Sequence, residues 1–276
     1  MNQRTRIISD VHFGHPASFV RKLEQLAPLL EGVPRVIFNG DSVEMRFLEE
    51  RDKAALDFAK FTNLCNTAGT DAVFINGNHD PCLSDVNHMD LAGGAVLVTH
   101  GDILFHGLSP WSSEAARLCK AHTRELAALG NPTDLELRLQ AVKKAALSVE
   151  ELGTKIRHKK TAQPTLSSLL YETWPPWRPF RIINCWFRTP ERANSLALQC
   201  RPEARFVIVG HMHWAGIWKI GGRVVINTGS FLPFSQCLAV DVDLDANEVL
   251  VSKVARRKKL FRIGPAVARF ALSGPL

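Results

Sequence analysis

The chain has 276 residues, of which 46% are hydrophobic and 22% are charged, and these values are ordinary for a soluble globular protein. A chain of this length can bury a large core without disulfide staples, and its six scattered cysteines form no CxxC pair. No stretch approaches the ~20 apolar residues of a membrane span, so we expect a cytoplasmic protein. The formal net charge of +7 favours anionic partners: phosphorylated substrates, nucleic acid or an acidic membrane face.

Strand and helix patterns alternate in the first part of the chain. Short β-rich runs predict strands at 6–9, 35–38, 72–75 and 95–99. Residues 17–30 and 49–67 have the spacing of helices. Strands that alternate with helices are typical of a layered α/β fold.

The pattern becomes helical from residue 111 onward. An apolar stripe at helical spacing runs through Leu135, Leu139, Val142 and Ala146 and predicts an amphipathic helix, and a second helix is predicted at 111–129. The prolines within 174–180 predict a break from regular helix, because proline removes a donor and clashes with the preceding turn. Another helical segment is predicted to begin at Thr189.

Strand patterns then return at 205–209, 216–220, 223–226 and 237–242. The pair Gly221-Gly222 predicts a hairpin turn between two of these strands. We therefore predict an α/β core formed by residues 1–110 and 202–276, with a helical insertion, or cap, at 111–201.

Polar residues directly follow five of the predicted strands. The segments are Asp10-Val11-His12, Gly40-Asp41, Gly77-Asn78-His79-Asp80, His100-Gly101-Asp102 and Gly210-His211-Met212-His213. Because the strand ends of an α/β sheet converge on one crevice, these side chains can meet in space. Any one segment could be an ordinary polar turn, but the repetition after five strands favours a shared site.

Carboxylate, imidazole and amide ligands together suit manganese, iron or zinc better than calcium. The candidate ligands are Asp10, His12, Asp41, Asn78, His100, His211 and His213. Seven ligands exceed the needs of one tetrahedral site, whereas two sites that share a bridging carboxylate could use them all. We expect two divalent ions, with manganese favoured and iron, zinc and magnesium as alternatives.

The series DxH, GD, GNHD, H and GHxH is complete and in order, and in this the sequence resembles the calcineurin-like metallophosphoesterases. The resemblance covers residues 6–110 and 205–245. It implies a four-layer α/β/β/α sandwich, in which helices flank two sheets, with the helical cap inserted into it. Glu44 stands where many relatives carry aspartate.

The resemblance also implies a role for each motif residue. One metal ion would be held by Asp10, His12, Asp41 and His213. The second would be held by Asp41, Asn78, His100 and His211, with Asp41 bridging. His79 would stabilise charge on the scissile group or protonate the leaving oxygen, with Asp80 orienting it. A hydroxide between the two ions would attack phosphorus in line.

These motifs define a reaction class, which is hydrolysis of a phosphoester or phosphoanhydride, and leave the substrate open. The candidate enzymes are a nucleotide-lipid pyrophosphatase, a DNA or RNA nuclease, and a small-molecule phosphodiesterase or phosphatase. A non-catalytic scaffold of the same fold is the remaining alternative. A scaffold need not keep the metal ligands, yet all of them are present, together with His79.

The cap provides a clue to the substrate. Its aromatic residues include Trp174, Trp177, Phe180, Trp186 and Phe187, and Arg178, Arg181 and Arg188 lie among them. Such residues favour the membrane–water interface, can bind single-stranded nucleic acid, or can simply pack the cap onto the core. A further basic cluster occupies 253–262.

In architecture the chain resembles the UDP-2,3-diacylglucosamine hydrolases. It departs from them in carrying His79 where they have arginine, and in lacking an acidic residue at 103–107. We expect a phosphate-linked amphiphile of this kind as substrate, met at the inner face of the membrane. Nucleic acid is the rival partner, and the sequence indicates no particular oligomeric state.

Overall fold

The computed structural model describes residues 3–45, 51–110, 112, 114–153 and 177–274. Numbered in chain order, the strands are β1 (Arg4–Ile8), β2 (Arg35–Asn39), β3 (Asp71–Ile75), β4 (His88–Leu91), β5 (Val96–Thr99), β6 (Phe206–Val209), β7 (Gly216–Ile220), β8 (Arg223–Asn227), β9 (Leu238–Asp243), β10 (Glu248–Arg257) and β11 (Leu260–Ala271). The helices are α1 (Ala27–Leu30), α2 (Arg51–Thr67), α3 (Ala115–Ala128), α4 (Leu135–Gly153) and α5 (Arg178–Cys200). Within the described ranges, no helix is long and apolar enough to cross a membrane.

The strands form two sheets. One has six strands in the order β11-β10-β9-β1-β2-β3, and the other has five in the order β4-β5-β6-β8-β7. Strands β1, β2 and β3 run parallel to one another, as do β5, β6 and β8. The carboxyl ends of these parallel strands therefore share one edge in each sheet, which is where ligand sites of such sheets lie.

Successive side chains of a strand point to opposite faces of its sheet, and in both sheets each face is buried. Ile7 and Val240 of one sheet and Ile208 of the other belong to one buried cluster between the sheets. Their strand neighbours point the other way, so that Ile8 packs with α1 and α2, and Val207 packs with α4 and α5. The predicted α/β/β/α sandwich is confirmed.

The insertion supplies the helices that cover the five-stranded sheet. The predicted stripe on α4 is buried, and it packs in one cluster with Leu97 of β5 and Val207 of β6. This burial confirms the amphipathic helix over its described part, while 154–176, including Trp174, lies outside the described residues. The domain limits at 110/111 and 201/202 stay a prediction.

The helix predicted at 17–30 is mostly wrong. A 3₁₀ turn begins at Leu23 and α1 follows it, whereas the residues before the turn form a loop. The Ser18 hydroxyl donates to the Val11 carbonyl at 2.8 Å, and the Phe19 amide donates to the Phe231 carbonyl at 2.9 Å. These bonds hold the loop beside the end of β1 and beside Phe231.

The helix start predicted at Thr189 is also corrected, and so is the part of the predicted break at 178–180; residues 174–176 of that break lie outside the described residues. Helix α5 is continuous from Arg178 to Cys200. Pro179 lies in its first turn, where proline has no helical hydrogen bond to lose. Pro190 lies inside the helix, at a typical cost of about 3 kcal/mol. Burial of the helix face against the sheet offsets this cost; the buried residues include Cys185, Ala193, Leu196 and Ala197.

A long β-hairpin of β10 and β11 ends the described chain, and the sequence patterns did not indicate it. The two strands pair from Glu248↔Ala271 to Arg257↔Leu260, so Lys258 and Lys259 form the turn. The register shifts on either side of Ser252: Val267 is passed over before the pair Ser252↔Ala266, and Gly264 and Pro265 lie between that pair and Val254↔Ile263. Strand β11 is the outer strand of its sheet.

Candidate metal centre

The polar segments predicted to converge do meet, at the shared edge of the two sheets. The loops after β1, β2 and β3 bring Asp10, Asp41 and Asn78 from the six-stranded sheet. The loops after β5 and β6 bring the histidines from the other sheet: His100, His211 and His213. Parallel strands deliver all these side chains to one place because their carboxyl ends lie together.

The first donor group contains Asp10, His12, Asp41 and His213, with one ligand atom from each lying within 4.8 Å of the others. His213 Nε2 is 3.1 Å from Asp10 Oδ1 and 3.1 Å from His12 Nε2. His12 Nε2 is 3.6 Å from Asp41 Oδ2. Two carboxylates and two imidazoles facing one point form a donor set that a divalent transition ion suits.

The second donor group contains Asp41, His100 and His211, again with ligand atoms within 4.8 Å of one another. Asn78 Oδ1 joins this group at 3.3 Å from His100 Nε2. Asp41 Oδ2 lies 3.4 Å from His100 Nε2, so one carboxylate oxygen faces both groups. All seven predicted ligands are therefore brought together, although their roles as ligands stay predictions.

Hydrogen bonds to backbone carbonyls fix the tautomers of two histidines. His100 Nδ1 lies 3.0 Å from the Asn39 carbonyl, and His211 Nε2 lies 2.8 Å from the Leu108 carbonyl. A carbonyl oxygen can only accept, so each of these nitrogens carries the proton. The opposite ring nitrogen of His211 keeps its lone pair for a metal ion, as is usual for a ligand imidazole. Burial would lower the pKa of His100, but the Asp41 carboxylate outweighs it and holds that pKa well above its usual range, so the second ring nitrogen of His100 would release its proton when an ion binds.

The backbone at the site adopts a conformation that L-residues rarely take. Five candidate ligands have φ between +49° and +66°: Asp10, His12, Asp41, His211 and His213. Such residues cost of the order of 1–3 kcal/mol each, and they concentrate at functional sites. Their grouping indicates that the fold holds these side chains in place against local strain.

Motif glycines let this backbone approach the ligands closely. A Cβ on Gly40, whose φ is +80°, would lie 2.2 Å from His100 Nδ1. A Cβ on Gly210 would lie 2.3 Å from Asp10 Oδ2 and 2.5 Å from Ser9 Oγ. Side chains at these positions would displace ligands, which explains why glycine stands beside Asp41 and His211.

The model of the calcineurin-like phosphoesterase domain matches residues 4–215. The chain belongs to the calcineurin-like phosphoesterase family. Family membership and the Asp/His cluster together indicate a divalent metal site, and the family supports a hydrolase. No curated protein sequence matches the chain.

Solved structures with a similar chain path have low sequence identity. A single mutant of Vps29 from Entamoeba histolytica is 10% identical, with 98% of this chain and 99% of that chain covered and a TM-score of 0.46. A dimetal phosphatase from Danio rerio is 12% identical, with 98% and 99% covered and a TM-score of 0.46. A predicted phosphoesterase from Streptococcus pneumoniae is 14% identical, with 98% of each chain covered and a TM-score of 0.43.

Burial and neighbouring charges set the protonation states of this family site. Burial would raise the pKa of Asp41, but the positive charge of His100 outweighs it and holds that pKa well below its usual range. Burial and the charge of His79 lower the pKa of His12 to about 3, and burial and the charge of His100 lower that of His211 to about 3. Anionic carboxylates and neutral imidazoles are the forms in which these groups bind metal ions.

His79 lies beside the first donor group. Its ring packs edge-on against that of His12 with 4.8 Å between centroids, and 18% of its side chain is exposed. His79 Nδ1 is 3.1 Å from Glu44 Oε1 and 3.2 Å from Glu44 Oε2. Burial would raise the pKa of Glu44, but His79 outweighs it and lowers that pKa to about 2, so Glu44 is a carboxylate.

Glu44 is thus a carboxylate in contact with the His79 ring, while the orienting role predicted for Asp80 stays a prediction. Asp80 accepts backbone N–H bonds from Gly77 at 2.8 Å, Asp41 at 2.9 Å and Ser42 at 2.6 Å. It ties the loop after β3 to the loop after β2, and so fixes the backbone that carries Asp41. Burial and the charge of Asp41 raise the pKa of Asp80 to about 7.

A pair of hydroxyls, from Ser9 and Thr228, lies behind Asp10. Ser9 Oγ donates to the Asp10 carboxylate and lies 2.5 Å from Thr228 Oγ1. Thr228 follows β8, within the segment Asn227-Thr228-Gly229-Ser230. A polar segment after another parallel strand was the available signal, and it proves to support a ligand from behind.

Proposed function

We propose that this protein hydrolyses phosphoesters or phosphoanhydrides with two divalent metal ions. The observation that carries the proposal is the pair of donor groups that share the Asp41 carboxylate, with His79 beside the first of them. One ion would be held by Asp10, His12, Asp41 and His213, and the other by Asp41, Asn78, His100 and His211. Manganese is the favoured metal, with iron, zinc and magnesium as alternatives.

The protein's own side chains would contribute positioning and proton transfer. Two divalent ions supply Lewis-acid stabilisation of phosphoryl oxygens and activate water for attack. Glu44 contacts Nδ1 of the His79 ring, whose side chain is 18% exposed, and would hold that ring beside the first donor group. From there His79 would stabilise the phosphoryl charge or protonate the leaving oxygen.

We propose a phosphate-linked amphiphile, such as UDP-diacylglucosamine, as the substrate. Exposed aromatic side chains on α5 support this choice: Trp177 is 56% exposed, Phe180 73% and Phe187 81%. Helix α5 reaches the site through Trp186, whose ring lies 4.1 Å from that of Trp214, the neighbour of candidate ligand His213. Exposed rings near the site suit a substrate with an apolar tail, met at the cytoplasmic face of a membrane.

A hydrolysis screen tests the proposal. Purified protein would be stripped of metal, reloaded with Mn²⁺, Fe²⁺, Zn²⁺ or Mg²⁺, and offered phosphomonoesters, bis-aryl phosphates, nucleotide sugars, UDP-diacylglucosamine and single-stranded DNA. The matched control is Asp41→Ala, which removes the carboxylate that both donor groups share. We expect metal-dependent turnover in wild type alone, fastest on UDP-diacylglucosamine.

The pattern of turnover separates the alternatives. Cleavage of DNA with the nucleotide-linked lipid left intact would replace the lipid substrate by nucleic acid. Cleavage of small diesters alone would favour a small-molecule phosphodiesterase. No turnover on any substrate with any metal would favour the scaffold.

A further inference from the structure

The β10–β11 hairpin extends past the sheet edge that holds the candidate metal centre. Ile7 of β1 pairs with Val240 of β9, and Leu238 of β9 pairs with Lys253 of β10. Leu238 is thus level with the end of β1, where the site begins. Four further residues of β10 reach Arg257, so the turn projects roughly 13 Å beyond this edge at about 3.3 Å per residue.

The projecting end of the hairpin is densely basic. Its cations are Arg256, Arg257, Lys258, Lys259 and Arg262, and all five are exposed. None of them is in an ion pair with another described residue. Unpaired charges at this density repel one another, so an anionic partner would stabilise them.

The turn carries lysines where its geometry favours other residues. Lys258 has φ of +48° and Lys259 has φ of +69°, the conformation of a two-residue hairpin turn in which Asn-Gly is the preferred pair. Lysine in a left-handed conformation costs of the order of 1–2 kcal/mol. The sequence thus keeps two positive charges at a place where neutral residues would make the better turn.

Aromatic contacts join this basic end to the site. The Arg256 guanidinium lies 5.4 Å from the Phe19 ring and 5.8 Å from the Phe261 ring, and Phe261 packs against Phe231 at 4.9 Å. The Phe231 amide donates to the carbonyl of candidate ligand Asp10 at 3.1 Å. The basic turn and the metal centre are therefore linked through Phe261 and Phe231, at the same end of the six-stranded sheet.

We propose that this basic hairpin docks the protein on an anionic membrane surface, with the metal centre facing the lipid. The proposal rests on the amphiphile substrate proposed above and names the surface that would bring the site to it. Phe234, in the loop next to Phe231, has a fully exposed ring, and Ile183 is 42% exposed on α5 beside Phe180 and Phe187. Exposed aliphatic and aromatic side chains beside cations suit the headgroup boundary of a bilayer better than a stack of bases.

The test compares two charge-matched variants. Lys258→Asn with Lys259→Gly removes two charges and installs the favoured turn pair, so the fold is kept or stabilised. The control, Lys120→Gln with Lys144→Gln, removes two exposed charges from α3 and α4. Binding is measured at physiological salt by sedimentation with phosphatidylcholine vesicles, with and without phosphatidylglycerol, and by gel shift with a single-stranded oligonucleotide.

We expect wild type and the control to sediment with the anionic vesicles and not with phosphatidylcholine alone. The turn variant should bind the anionic vesicles about 30-fold more weakly, since each basic residue near such a surface contributes about 1 kcal/mol. Wild type that ignores anionic vesicles, or a turn variant that binds them like wild type, would overturn the proposal. A turn variant that loses only oligonucleotide binding would assign the hairpin to nucleic acid instead.

Turnover of a soluble bis-aryl phosphate separates this proposal from the proposed hydrolase function. All three proteins should hydrolyse it equally, because the turn lies outside the donor groups. Vesicle binding without turnover of this compound or of any substrate in the screen above would leave the docking surface standing and remove the enzyme. Turnover without vesicle binding would support the hydrolase and overturn the docking surface.

Discussion

His79 lies outside the two donor groups that share Asp41, although it forms a third cluster of donor atoms with His12 and Glu44. Its removal therefore leaves both groups around Asp41 intact. We predict that His79→Ala lowers turnover by roughly 10²–10⁴-fold, the usual range for general acid catalysis. Metal content should stay close to that of wild type. Turnover and elemental analysis on the same preparation check this, and equal turnover in the two proteins would remove His79 from the mechanism.

Glu44 touches His79 at 3.1 Å and is expected to act through it. We predict that Glu44→Gln lowers turnover in wild type but has little further effect in the His79→Ala background, because the group that it positions is then missing. A double-mutant cycle on kcat measures this coupling. Additive losses would instead assign Glu44 an independent role.

The neutral state of buried His12 makes stability depend on pH. Its folded pKa is about 3 and its ordinary value is 6.5, so below pH 6.5 the unfolded chain takes up a proton that the folded chain does not. Metal-free wild type should therefore lose stability relative to His12→Asn as pH falls from 6.5, by up to about 1.4 kcal/mol per pH unit. Urea unfolding of both proteins in chelator measures the difference, and a constant difference across this range would contradict the prediction.

At the scale of elements, the loops after β5 and β6 are shaped by the ligands that they approach. We predict that Gly210→Ala weakens metal binding and activity, because the added Cβ would meet Asp10 Oδ2 at 2.3 Å. Gly222→Ala is the control: its φ is +75° with open space around it, so it should cost about 1–2 kcal/mol of stability while metal affinity is unchanged. Metal titration of both variants measures the two affinities. Equal affinities would contradict the prediction and show that the loop after β6 can relax around the added Cβ.

The sequence predicted a structural feature correctly when that feature depended on neighbouring residues in the chain, and less well when it depended on contacts between distant segments. A ligand directly after an apolar strand is a short-range pattern, so the places of Asp10, Asp41 and His100 were predictable. The contact of Glu44 with His79 joins residues 35 positions apart and depends on how two loops meet. The start of α5 was misjudged because its packing against the sheet outweighs the cost of Pro190.

At the scale of the molecule, the metal centre joins the two sheets, with ligands from β1–β3 on one side and β5–β6 on the other. Bound metal should therefore stabilise the whole sandwich. At an ion concentration of 100 times Kd, one site adds about 2.7 kcal/mol to the free energy of unfolding. Thermal unfolding with and without Mn²⁺ should show this gain in wild type and lose it in Asp41→Ala, and an equal gain in both would place the stabilising ion elsewhere.

The outer strand β11 has a consequence for solubility. A strand of 12 residues at the edge of a sheet offers a row of free N–H and C=O groups on which another chain can add. The register shift at Gly264 and Pro265 interrupts that row, since proline has no N–H to give and a bulge twists the edge away from a flat template. The irregular pairing of this hairpin thus protects the six-stranded sheet against edge-to-edge aggregation.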